Sequence, residues 1–101
     1  MENYIDLLKA GTKIVLTKLE MKKGKFSMLG VGGIRSGTLS SDCKLDTPIY
    51  YREWSGHHVT SIVFRVFQEE GDLRIETETS IDSVRIVTDD NDEEFRRFLL
   101  R

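Results

Sequence analysis

A single cysteine, Cys43, stands in the 101 residues, so the chain closes no disulfide on itself and assembles no multi-cysteine metal site. Such usage suits a reducing compartment. No apolar run approaches the ~20 residues that cross a bilayer. Met1 to Asp6 carry acids where a secretory signal carries bases. A cytoplasmic protein without a membrane partner is the expectation.

Catalytic and metal-binding signatures are equally scarce. No nucleophile-elbow sequence frames Cys43 or any serine, which makes Cys43 a packing residue. His57 and His58 are adjacent, and neighbouring residues of a strand point to opposite faces, so with Cys43 and Glu53 they form a poor chelate and are expected as solvated turn residues. The acids from Asp89 to Glu94 lack the loop glycine and distant glutamate of a helix-loop-helix calcium site. Glu76 and Glu78, with Arg74 between Asp72 and Glu76 on the same strand face, match a solvated face better than an acid–base pair. The expectation is a chain that is not an enzyme and carries neither cofactor nor metal.

Glycine is concentrated rather than scarce, with Gly30, Gly32, Gly33 and Gly37 making four of the eight. From Gly32 to Thr38 the glycine spacing is that of a phosphate-binding loop followed by a hydroxyl. However, the lysine that should precede Thr38 is missing, and Leu39 to Cys43 lacks the periodicity of the helix whose N-terminus would hold phosphate. A mobile hairpin loop or a bulged, bending strand segment fits the stretch better.

Length bounds the chain to one domain over residues 1–101, and 39% hydrophobic with 32% charged residues is ordinary for a globular fold. The net charge of −2 divides unevenly, as +4 over residues 1–37 and −6 over residues 38–101. That division matters for partners only where the lysines cluster away from the acids.

Strand patterning dominates the middle of the chain. Val59 to Phe67 is β-branched and aromatic, breaks at Gln68 to Gly71, and resumes at Asp72. From there Leu73, Ile75, Thr77 and Thr79 share one face while Asp72, Arg74, Glu76 and Glu78 share the other. In the longer run Ile62, Phe64 and Val66 are expected on one face, with Ser61, Val63, Arg65 and Phe67 on the other. Further strands are expected at Thr12 to Leu19, Phe26 to Leu29, Ile49 to Trp54 and Val84 to Thr88, with a turn at Asp82-Ser83. Apolar residues on both strand faces call for a closed interior on one side and a helix or second subunit on the other.

Tyr4, Ile5, Leu7 and Leu8 form a stripe on a short helix that ends near Gly11. Asp89 to Arg101 read as a second helix, acids first and arginines last, with Phe95, Phe98 and Leu99 on one stripe. The fold class is therefore mostly β: a small antiparallel barrel or strongly bent sheet of five to six strands with a short helix at each terminus.

For function, the expectation is a small non-enzymatic binding module acting through protein contacts or self-association, a homodimer included. The alternative is a nucleic-acid-binding barrel that stacks bases on Phe26, Tyr50, Tyr51 and Trp54 beside Lys18, Lys22, Lys23, Lys25, Arg35 and Arg52. An acidic pI of about 5.7 weighs against it. The candidate interaction surface is Lys22, Lys23, Lys25, Arg35, Tyr50, Arg52 and Trp54.

Overall fold

The computed structural model describes residues 4–25 and 30–87. Six strands make up most of the described residues: β1 (Lys13–Met21), β2 (Ile34–Leu39), β3 (Pro48–Glu53), β4 (Gly56–Glu69), β5 (Asp72–Thr77) and β6 (Ser80–Val87). Each pairs antiparallel with the next, and β6 returns to β1 to close a barrel in simple up-and-down order. Among the described residues, closure gives every strand a neighbour on both sides.

Alternation fills the interior. On β1, Ile14, Leu16 and Lys18 point inward and face Ile86, Val84 and Asp82 of β6 in register. Asp82 and Val84 in turn face Ile75 and Leu73 of β5. Ile14, Leu16, Leu39, Ile49, Tyr51, Val63, Ile75 and Val84 are buried together in one cluster, so the interior is packed through its middle.

Three turns follow from local chemistry. Between β4 and β5, Glu70 (φ 54°) and Gly71 (φ 83°) both take positive φ, the two-residue turn whose twist suits a hairpin. Between β5 and β6 the Thr77 hydroxyl oxygen accepts hydrogen bonds from the Thr79 and Ser80 amides at 3.3 and 3.1 Å. That hydroxyl places the turn at Glu78-Thr79 and starts β6 at Ser80, several residues before the expected turn at Asp82-Ser83. Between β3 and β4 the turn is Trp54-Ser55, with Glu53 paired to Gly56.

Bulges overturn the expected faces of the long strand. The pairing of β4 slips once opposite Pro48 to Tyr50 and again between Val63 and Arg65. Each slip reverses the alternation that follows it. Val63 and Val66 thus both reach the core, while Ile62 and Phe64 are exposed rather than sharing an inner face with Val66. A third bulge, between Lys18 and Glu20, leaves Leu19 outside.

The expected N-terminal helix is a single 3₁₀ turn, Tyr4–Leu7. Three residues per turn stack Ile5 over Leu8, both buried, and the Leu8 amide donates to the Ile5 carbonyl at 3.0 Å. Beyond it the barrel takes the donors a helix would need: the Ala10 amide goes to Asp42 Oδ1 and the Gly11 amide to the Leu39 carbonyl. The Cys43 amide also donates to the Leu8 carbonyl, so this turn is bonded onto the β2–β3 connection. An apolar plug therefore sits at this end of the barrel.

The expected strand at Phe26 to Leu29 and the expected helix at Asp89 to Arg101 lie outside the described residues. The second strand of the barrel is Ile34–Leu39 instead, inside the glycine-rich stretch, so its latter half is strand and not loop.

Burial accounts for Cys43, whose thiol is pushed up to about 11 from 9.0. At pH 8 the folded protein then presents about a hundredfold less thiolate than an unfolded chain. Alkylation of Cys43 by iodoacetamide, followed by mass spectrometry, is expected to run at least about a hundredfold slower in buffer than in denaturing urea.

Candidate functional site

Two surfaces stand out against the packed middle. The first is the outer face of the β3–β4 hairpin. Tyr50 faces Val59 and Pro48 faces Ile62 in register, so short, long and ring side chains form one outward row. Tyr50, Val59 and Ile62 are all exposed, and Trp54 at the hairpin tip is 93% exposed. Beside the row runs a groove lined by Asp42, Lys44, Asp46, Pro48, Tyr50 and Ile62. An outward apolar row of this size is what a contact surface offers, and scattered single residues would not form one.

The second is the end of the barrel opposite the plug. There the inward-facing rows change from apolar to polar: Ile14 and Leu16 give way to Lys18 on β1, and Val84 gives way to Asp82 on β6. Arg35 of β2 faces Leu16 and donates to the Tyr51 hydroxyl at 3.3 Å. These groups surround a cavity of about 220 Å³ whose rim adds Thr60, Ser61, Thr79 and Ser80. Burial lowers the pKa of Lys18, with Asp82 opposing and Arg35 reinforcing the shift. Burial likewise raises that of Asp82, against its hydrogen bond from Ser80 and the charges of Lys18 and Arg35.

The residues expected to act as one surface are dispersed. Lys22 lies 2.7 Å from Glu76 and over the Phe64 ring at 4.7 Å, and Lys25 lies 3.8 Å from Glu78. Both lysines thus face acids of β5 and its turn, while Lys23 is exposed. Arg35 turns into the cavity, away from the outer face that Tyr50 and Arg52 share with His57 and Val59. Tyr51, expected as a stacking platform, is 1% exposed and belongs to the core. Phe26 lies outside the described residues.

His58 departs from the expected solvated turn. It stacks on Tyr51 with ring centroids 5.5 Å apart and sits 3.2 Å from Ser55 Oγ and 3.6 Å from Glu53. Among the described residues no three of His, Cys, Asp and Glu come together as a metal cluster. Lys18 was expected as an outer base of the nucleic-acid alternative and Asp82 as a turn residue, and neither was expected inside the barrel. Their signal was a charge at the end of an alternating apolar face, Ile14-x-Leu16-x-Lys18 and Asp82-x-Val84-x-Ile86.

Glu76 is the acid most strongly committed to partners on the outer face. Lys22 donates to one of its oxygens and Arg65 to the other, each at 2.7 Å, and these bonds hold its carboxyl below the ordinary value of 4.5. A depressed folded value stabilises above the unfolded value, and the gain is lost as pH falls through the folded one. Glu76→Gln is therefore expected to cost about 1 kcal/mol at pH 7, discounted for the exposure of Arg65. Urea midpoints should show the gap to wild type closing in acid, as Glu76 itself becomes protonated.

Comparison with known proteins returns no matching family model, no matching curated protein and no matching solved structure.

Proposed function

We propose that this chain is a small, non-enzymatic binding module that works by protein contact, with a second copy of itself as the contact best supported. The observation that carries this is the outward row of Tyr50, Val59 and Ile62 on a barrel whose described strands each have a neighbour on both sides. Contacts must then be made face to face and cannot add strands. Arg52 stands at one end of the row, and Asp42 and Asp46, with Lys44, stand at the other. A two-fold axis through the row would bring the arginine of each copy to the acids of the other, as an isologous interface requires.

Nucleic-acid binding draws less support. Lys22 and Lys25 face Glu76 and Glu78, Arg35 points into the barrel, and Tyr51 is buried. Lys23, Lys25, Tyr50, Arg52 and Trp54 stay exposed, but Lys25 lies against Glu78 and Tyr50 belongs to the apolar row.

Sedimentation velocity across a hundredfold range of concentration tests the proposal. Wild type is expected to shift toward twice the mass of one chain as concentration rises, and Ile62→Glu to stay at one chain with its fold intact. A wild-type mass of one chain throughout would refute self-association. An oligonucleotide that binds in a salt-dependent way would move the function to the alternative.

A further inference from the structure

We propose that the polar mouth of the barrel is a binding site for a small monocarboxylate, seated with its carboxylate at Arg35 and Lys18 and its short carbon chain against Leu16 and Val59. The cavity of about 220 Å³ lies below the roughly 300–1,000 Å³ of drug-sized sites, which limits the occupant to a few heavy atoms. Its wall is divided: Leu16 and Val59 are apolar, whereas Lys18, Arg35, Asp82 and the hydroxyls of Thr60, Ser61, Thr79 and Ser80 are polar. An occupant with one charged end and one apolar end matches that division.

Charge narrows the class further. Two cations and one acid line the site, so one negative charge restores balance. A guanidinium presents a planar fork that fits the two oxygens of a carboxylate. Arg35 donates from one nitrogen to the Tyr51 hydroxyl at 3.3 Å, which ties it to the lining of the mouth. Asp82 is held by the Ser80 hydroxyl at 2.8 Å and would repel the second charge of a phosphate dianion. Lys18 is only 8% exposed, and ammonium groups are rarely so buried unless the charge answers another. Its surroundings already include Asp82 and Arg35.

Sealing at the far end supports the same reading. Ile5 and Leu8 close that end with apolar side chains, so among the described residues the polar lining is confined to the mouth. The site shares Val59 with the β3–β4 row, while its charged groups Arg35, Lys18 and Asp82 stand apart from that row.

The test is a ¹H–¹⁵N titration with sodium butyrate, against inorganic phosphate and sodium chloride at equal ionic strength. Butyrate is expected to move the amides of Ser61, Thr79 and Ser80 along saturable curves, with phosphate and chloride leaving them near their starting positions. Arg35→Gln should weaken butyrate binding about tenfold or more, with the Val63 and Ile75 amides unmoved as evidence of an intact core. Should Arg35→Gln fail to fold, Arg35→Lys carries the test, with binding expected about threefold weaker or worse because the fork is lost. Shifts that rise linearly without saturation would overturn the proposal. So would equal affinity in the folded Arg35 variant, or phosphate that saturates the same amides as tightly as butyrate.

Discussion

Gly37→Ala is expected to destabilise the barrel by about 3 kcal/mol, an overpacking cost at the upper end of the usual range. A Cβ at this position would lie 2.6 Å from the Arg52 carbonyl oxygen and 2.8 Å from Tyr51 Cδ2. The oxygen belongs to the backbone, so it cannot swing aside as a side chain would. Strands β2 and β3 pair only through Thr38↔Arg52 and Leu39↔Tyr51, with the Ser40 amide bonded to the Tyr50 carbonyl just beyond. Any outward shift of β2 loosens the shortest ladder in the barrel. Gly30→Ala is the matched control: among the described residues nothing lies within 4 Å of its Cβ position, so the change should stay within about 0.5 kcal/mol. Urea denaturation of the two variants beside wild type measures the contrast.

Leu8→Ala should cost about 3 kcal/mol or more, the usual range for a buried leucine being roughly 2–5 kcal/mol. Its neighbour Leu7 is the control, because Leu8 is 0% and Leu7 is 53% exposed. Leu7→Ala should change stability by less than about 0.5 kcal/mol. Were the Tyr4–Leu7 turn a loosely attached arm, the two substitutions would be equally mild. For a domain whose whole stability is of the order of 5–15 kcal/mol, losing the plug would lower the melting temperature by over ten degrees, at about 4–8 °C per kcal/mol.

Much of the architecture was legible because strand signals are local. The alternation from Asp72 to Thr79 placed Ile75 and Thr77 inside correctly, and apolar residues on two faces pointed to a closed interior. Where the reading failed, a non-local bond or an extra residue had intervened. Ile62 and Phe64 changed faces because of bulges that no periodicity registers. The glycine-rich stretch reads as either a hairpin loop or a bending strand segment; Ile34–Leu39 is strand, and Gly37 is required there by the approach of Arg52. The 3₁₀ turn displaced a helix because Asp42 and Leu39, some thirty residues away, take the amides of Ala10 and Gly11.

The candidate surface was less legible than the fold. A list of exposed bases and aromatics gathers residues by type, whereas the barrel sorts them by direction. Tyr50 and Tyr51 are adjacent, yet one is on the outer row and the other is the largest of the fully buried side chains. Arg35 was recognised as a cation and not as one that turns inward. Only the register, through Leu16↔Arg35 and Lys18↔Asp82, brings the charged mouth together.

The face of the hairpin as a self-contact surface is tested most directly by an isotope-filtered NOESY on a mixture of labelled and unlabelled chains. Intermolecular contacts are expected from the Tyr50 ring to the methyl groups of Val59 and Ile62 of the other copy, and from no other part of the barrel. Intermolecular contacts confined to a different face, or none at a concentration where the row is saturated with neighbours by mass action, would contradict it.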